Sequence, residues 1–348
     1  MLVPDISIII VNFNNQRVLE ACLPAVRQTI ATLDAEVILS DNGSRDGSVD
    51  WVRKNFPEIR ILENNANLGF AEANNRAFPL CTGKYILLLN PDTIAQDDAI
   101  GAMIRFLESH PHAGVVGCKL LNGDRSRQVS ARAFPSLTST FLSYSGLAWR
   151  NSHGRFCGQF EYGDWDGESA RRVDWVCGAA LMIRREVLDR VGPIDPYFFL
   201  TYDEVDWCHR ILKAGWETWY TPDGVILHLD RQSEPQSNPS PEGRLKYMTV
   251  ERNSRVRYFV KHRGVIYASL VEMLHVVACA ALWLKMKIIG TKQPPVVVME
   301  KRLMLVLYWR TLCRVPRAIW CGFKRALLGA RDAAYPVFVN PYLANERR

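Results

Sequence analysis

The first 120 residues alternate short apolar runs with segments of helical period, and few folds accept that rhythm. Ile6-Ser7-Ile8-Ile9-Ile10-Val11 is rich in β-branched residues, as in a strand covered on both faces. From Arg17 to Ala31 the apolar positions Val18, Leu19, Cys22, Leu23, Val26 and Ile30 fall at helical spacing. The pattern recurs, with strands expected at 36–40, 59–62, 85–89 and 115–118 and helices at 48–55, 70–80 and 99–109. This succession predicts an α/β fold whose mostly parallel sheet is flanked by helices. Such sheets bind ligands at the carboxyl ends of their strands, so the polar residues there are the first candidates for chemistry.

The rhythm weakens after residue 120. Residues 122–172 mix Gly, Ser, Arg and aromatics and read as loops and short elements over the sheet. Helices are expected at 186–191, 203–214 and 245–261, short strands at 218–220 and 225–229, and a mobile Ser/Pro/Gln-rich loop at 231–242. We therefore expect one domain over 1–262, its first half ending near 120, and a helical tail over 263–348.

Charge separates the tail from the rest. Residues 285–348 carry 13 Lys/Arg against 3 Asp/Glu, whereas the preceding 284 residues carry 30 against 33. The slightly acidic front argues against nucleic acid as a partner, and the basic tail favours an anionic membrane surface. The stretch 265–289 is nearly long enough to span a bilayer, but Glu272 within it makes crossing costly. Residues 303–328 space Trp and Leu among Arg and Lys, as in an interfacial helix. A helix packed on the domain, or a dimer contact, fits the same pattern. Residues 1–13 have no basic leader and no small-residue cleavage site, which predicts a cytoplasmic chain, peripheral on the inner membrane face. The nine scattered Cys, with no C-x-x-C pair, read as reduced thiols.

Five polar clusters carry candidate chemistry. Asn12-Phe13-Asn14 ends the first strand, and Asp41-Asn42-Gly43-Ser44-Arg45-Asp46-Gly47-Ser48 ends the second. Asn64 to Asn74, with Gly69 inside, joins the third strand to a helix. Each also suits a plain βα turn. Asn90-Pro91-Asp92 ends the fourth strand, and side chains at i and i+2 of an extended segment point the same way, toward one hard cation. Asp203-Glu204-Val205-Asp206 opens a helix after the apolar Tyr197-Phe198-Phe199. Acids in a first turn answer the helix dipole, and a carboxylate beside a dry cleft can also serve as a general base. His228, among Val225-Ile226-Leu227 and Leu229, reads on spacing alone as a satisfied core histidine.

Taken together and in this order, these segments resemble the inverting family-2 glycosyltransferases, in their rhamnosyltransferase-like and galactofuranosyltransferase-like bacterial branch. Val176-Cys177-Gly178-Ala179-Ala180-Leu181-Met182 belongs to the same pattern, which covers about residues 5–262. The resemblance implies a GT-A type, Rossmann-like fold, a dTDP- or UDP-sugar donor and Mg²⁺ or Mn²⁺. It sets Val11, Asn12 and Phe13 at the nucleobase, Asp41 at the base edge or ribose, and Asn67, Gly69 and Asn90 along the donor. It makes Asp92 the surviving acid of the Asp-x-Asp metal motif, with Asn90 in place of the first acid, and it makes His228 a second ligand. The family's base position falls on Glu204, although the usual Glu-Asp order is reversed here and leaves room for Asp203. The implied reaction moves rhamnose or a related sugar to a saccharide hydroxyl, on a lipid-linked acceptor in bacterial surface-polysaccharide synthesis. A sugar-phosphate nucleotidyltransferase needs a basic Gly-rich loop, and residues 8–20 offer only Arg17. A catalytically impaired membrane scaffold on the same fold is the non-enzymatic alternative.

Overall fold

The Ile6–Asn12 run becomes the central strand because both its edges and both its faces find partners. The computed structural model describes residues 4–145, 161–162, 165–199, 201–229 and 241–289. In chain order the elements are β1 (Ile6–Asn12), α1 (Gln16–Thr29), β2 (Ala35–Asp41), α2 (Ser48–Asn55), β3 (Arg60–Glu63), α3 (Gly69–Ala77), β4 (Tyr85–Leu89), β5 (Thr93–Ala95), α4 (Ala99–Ser109), β6 (Ala113–Leu121), β7 (Arg127–Gln128) and β8 (Ala131–Arg132). There follow α5 (Leu137–Ser145), β9 (Arg171–Val173), β10 (Trp175–Val176), β11 (Ala180–Arg184), α6 (Arg185–Val191), α7 (Asp203–Lys213), β12 (Glu217–His228), α8 (Pro241–Arg263) and α9 (Val265–Ile289).

Strand β1 pairs in parallel with β2 through Ile8↔Val37 and with β4 through Ile8↔Leu87, and β2 pairs in parallel with β3. The sheet runs β3-β2-β1-β4-β11-β6-β12-β5. Its first half is wholly parallel. Beyond β4, β11 is antiparallel to both β4 and β6, while β12 returns parallel to β6. Ile6, Ile8 and Ile10 share one buried core with Leu19, Cys22 and Val26 of α1, Val52 of α2 and Ile100, Met103 and Leu107 of α4. The alternate residues of the strands face the other way. There Ser40 donates to the Ala73 carbonyl at 2.9 Å and pins α3 over β2.

Two elements differ from expectation. The segment after Asp92 forms β5, and it does so because β12 offers its edge, His228 pairing with Thr93 and Ile226 with Ala95. The two short strands expected at 218–220 and 225–229 are one strand, β12, with an irregularity between Thr221 and Val225. The expected loop at 231–242 lies almost wholly, and the helix at 303–328 wholly, outside the described residues.

The chain divides into two compact units, Met1–Phe134 with His153–Asn238, and Pro135–Ser152 with Pro239–Arg348. The first holds the sheet. In the second, α5, α8 and α9 pack together, and Tyr267 accepts a hydrogen bond from the Leu137 amide at 2.7 Å. Glu272, the acid that interrupts the apolar α9, is 1% exposed. Arg252 of α8 donates to it at 2.8 Å and Arg255 at 3.3 Å, so its charge is neutralised inside the unit. Among the described residues no helix is long and apolar enough to cross a membrane.

Candidate active site

Parallel pairing forces the ends of β1, β2 and β4 to one edge of the sheet, and that edge collects the polar clusters. Because β11 runs the other way, its beginning lies there too, with Ala180 opposite Leu89 and the Asn90 amide donating to Ala179 O at 2.9 Å. The end of β12 completes the edge, where the Leu229 amide donates to Asp92 O at 2.9 Å.

At the β1 and β2 ends, Asn12 and Asp41 are opposite one another in register and both buried. The Asn12 amide donates to Asp41 Oδ1 at 2.8 Å and to the hydroxyls of Ser44 and Ser48 at 3.0 and 2.8 Å. Asp41 Oδ2 accepts the amides of Gly43 and Ser44 at 3.0 and 2.9 Å. The aspartate therefore holds the whole β2–α2 turn. Val11 and Phe13, on either side of Asn12, are half-buried.

At the β3–α3 turn, Asn67 Oδ1 accepts the Gly69 amide at 3.1 Å and Asn42 donates to Gly69 O at 3.2 Å. Gly69 has φ +79°, a left-handed backbone that suits glycine. A Cβ placed there would stand 2.7 Å from Phe199 O. The segment leading into α7 thus rests directly on this turn.

The three acids of α7 have three different environments. Asp206 is fully buried and paired with Arg210 at 3.0 Å. Arg210 also donates to the carbonyls of Val191 and Pro193, so this pair ties α7 to the end of α6. Asp203 is 4% exposed. Burial, then the neighbouring Glu204 charge, holds its carboxyl well above the usual range. Glu204 is half-buried, and its Cβ lies 3.9 Å from where a Cβ on Gly178 would stand. Phe70, next to Gly69, packs over the same point at 3.7 Å. Thr201 and Tyr202 precede the helix with φ +63° and +64°, two successive left-handed non-glycine residues. Each costs on the order of 1 kcal/mol or more, a strain that marks the entry to the acid cluster.

Asp92 and His228 meet at the far end of the edge. Their Oδ1 and Nε2 atoms are 3.4 Å apart, and the residues are 1% and 8% exposed. Two ligands about 2.1 Å from one cation and at roughly right angles stand about 3 Å apart, so this pair is spaced to share a cation. A carboxylate oxygen with an imidazole nitrogen suits Mn²⁺, and the few protein donors leave positions for phosphate oxygens. Among the described residues no cluster of three or more His, Cys, Asp and Glu side chains exists that could hold a metal by itself. Asn90 lies two residues from Asp92, half-buried, with its carbonyl accepting the Thr93 hydroxyl at 2.6 Å.

No thiol is tuned for nucleophilic attack among the titrating buried cysteines. Burial pushes Cys22, Cys81, Cys118 and Cys208 up to about 12. Spacing did not reveal Gln128, whose Oε1 lies 2.8 Å from His228 Nδ1. Its partner is 100 residues away, and only the Asn122-Gly123-Asp124 turn signal hinted at the hairpin that carries it.

The family model described as Glycosyl transferase family 2 matches residues 7–192. N-acetylglucosaminyl-diphospho-decaprenol L-rhamnosyltransferase of Mycobacterium tuberculosis is 27% identical over 261 residues, spanning 71% of this chain and 84% of that protein. Rhamnosyltransferase WbbL of Escherichia coli is 28% identical over 169 residues, 46% of this chain and 60% of the relative. The mannosyltransferase PcManGT of Pyrobaculum calidifontis, solved with GDP-Man and Mn²⁺, superposes with a TM-score of 0.53 over 90% of this chain and 88% of its own, at 14% identity. That likeness shows the shared fold, a mixed α/β sheet of the GT-A type.

Proposed function

The chain belongs to glycosyl transferase family 2, and from that membership we propose that it transfers rhamnose or a related sugar, with inversion, from a dTDP- or UDP-linked donor to a hydroxyl of a lipid-linked saccharide. The observation that carries the reading is the division of labour between two adjacent acids. Asp203 is buried, with its carboxyl held well above the usual range, and Glu204 is the half-buried member beside Gly178 and Phe70.

In this proposal Glu204 is the base. Its carboxylate takes the proton of the acceptor hydroxyl as that oxygen bonds to the anomeric carbon and the bond to the diphosphate breaks. A single displacement inverts the configuration and needs no enzyme nucleophile. Asp203 donates a hydrogen bond to Glu204 and orients it. Val11, Asn12 and Phe13 border the nucleobase, and Asp41 keeps its turn rigid while a remaining lone pair meets the base edge or ribose. Asn67, Gly69 and Asn90 line the donor. Asp92 and His228 hold Mg²⁺ or Mn²⁺, which when bound offsets the negative charge of the diphosphate.

We place the protein at the inner face of the cytoplasmic membrane, in surface-polysaccharide assembly. Support comes from the basic 285–348 segment and from α9, which leaves Ile266, Leu270, Met273, Val277 and Leu284 exposed at helical spacing. The relative from Mycobacterium tuberculosis is named for a diphospho-decaprenol substrate, which fits the same setting.

Calorimetric titration with UDP and dTDP, each with and without Mn²⁺, tests the donor reading. Binding of one nucleotide that strengthens with Mn²⁺ is expected. Glu204→Gln should retain that binding and lose turnover by about 10²–10⁴-fold. Binding of neither nucleotide with Mn²⁺ and lipid present, or full turnover by Glu204→Gln, would overturn the proposal.

A further inference from the structure

His228 ends a chain of hydrogen bonds that can run in only one direction. The chain starts at the exposed turn between β6 and β7. Asp124 carries a carboxylate, which only accepts. Its Oδ1 takes the Ser126 hydroxyl hydrogen at 2.5 Å and the Ser126 amide at 2.9 Å. The Ser126 oxygen has spent its one hydrogen, so it can only accept from Asn122, 2.9 Å away. Asn122 must therefore present its amino group to Ser126 and its carbonyl Oδ1 to Gln128. Gln128 in turn donates through Nε2 at 3.1 Å, which turns its Oε1 to His228 Nδ1 at 2.8 Å. An acceptor at Nδ1 requires the hydrogen of the imidazole to lie there. In the neutral ring Nε2 is then left with its lone pair, 3.4 Å from Asp92 Oδ1.

We propose that Gln128 is a positioning residue that fixes His228 in the Nδ1–H tautomer and so presents Nε2 as a ligand for the divalent cation shared with Asp92. The polarity is imposed from Asp124 through Ser126 and Asn122, not by the imidazole itself. Backbone pairing supports the reach. Gln128 lies opposite Leu120 of β6, which lies opposite Ile226 of β12, two residues before His228 and on the same face. A ligating histidine whose other nitrogen is held by a protein acceptor is both oriented and made a better donor to the metal. The tautomer stands on these hydrogen bonds alone, whereas its consequence for cation binding rests on the Asp92–His228 reading above.

The test uses the full chain, metal-free, with ¹⁵N-labelled histidine. Two-bond proton–nitrogen correlation spectra distinguish protonated from lone-pair ring nitrogens, and His228→Ala assigns the signal. We expect Nδ1 protonated and Nε2 not. Gln128→Leu should lose this pattern, giving a mixture or the Nε2–H form, and should weaken Mn²⁺ binding by about 10–100-fold in a calorimetric titration. If Gln128→Leu does not fold, Asn122→Leu interrupts the same chain at the hairpin and should mix the tautomers. A wild-type spectrum with a hydrogen on Nε2, alone or together with one on Nδ1, or one unchanged in the folded Leu variant, would overturn the proposal. Mn²⁺ binding by His228→Ala as tight as wild type would instead overturn the ligand reading and leave the tautomer to the spectrum.

Discussion

Replacing Gly69 by Ala should separate two costs that the β3–α3 turn imposes at one position. The first is backbone. At φ +79° any side chain adopts the left-handed region, at roughly 1–2 kcal/mol. The second is steric. The new Cβ would lie 2.7 Å from Phe199 O and 2.8 Å from Phe199 Cδ2, and a backbone oxygen cannot swing aside. Overpacking of this kind costs about 1–3 kcal/mol. The two sum to about 2–5 kcal/mol, a fall of about 4–20 °C in melting temperature for a unit of this size. Gly215→Ala is the control. Its φ is +92°, just past the end of α7, and nothing lies within 4 Å of the added Cβ, so it should lose only the backbone part, about 1–2 kcal/mol. Phe199 stands four residues before Asp203, so relieving the clash displaces the start of α7 and with it Glu204. A misplacement near 1 Å should lower turnover by about 100-fold in the Gly69 variant and leave the Gly215 variant near wild type. Thermal denaturation followed by circular dichroism and donor-consumption kinetics read both effects. Equal melting shifts in the two variants would refute the steric argument, and an unaltered kcat in a destabilised Gly69→Ala would refute the link to α7.

Other outcomes follow from the buried charges. Asp203 titrates above its unfolded value, so the folded chain retains a proton that the unfolded chain releases, and stability should fall as pH rises from the ordinary aspartate range toward the raised folded value. Asp203→Asn, which still donates to Glu204, should remove that part of the pH dependence and be more stable than wild type at pH 8 in denaturant titrations. Glu272→Ala strips Arg252 and Arg255 of their shared carboxylate in a site where the three residues are 6%, 8% and 1% exposed. It should cost about 3–5 kcal/mol, visible as faster amide exchange in α8 and α9, and normal exchange there would refute the pairing. Asp92→Asn removes the only charge of the Asp92–His228 pair at neutral imidazole, and Mn²⁺ should then bind at least tenfold more weakly by titration; unaltered affinity would place the cation elsewhere.

The sequence determined the elements of the sheet's parallel half and their succession along the chain, and the structure decided their order in the sheet. Ile6 to Val11 and Leu87 to Leu89 are too apolar to serve except as strands covered on both faces, and Val18, Leu19, Cys22 and Val26 leave α1 one buried stripe. The ends of those runs marked the site, since Asn12, Asp41 and Asp92 each follow a strand of one parallel set. What each polar residue does was not legible there, because roles depend on neighbours distant in the chain. Three acids in four residues look alike until Arg210 claims Asp206, burial raises the Asp203 carboxyl above its usual range and Glu204 is found half-buried beside Gly178. His228 is indistinguishable from a core histidine until antiparallel pairing of β12 with β5 brings it to Asp92. Glu272 reads as a costly acid in an apolar helix until two arginines of α8 are found beside it. Apolar periodicity is a local property and survives in one dimension. The pairings of Arg252 with Glu272 and of Asp92 with His228 span 20 and 136 residues, and only the folded chain brings those partners within reach.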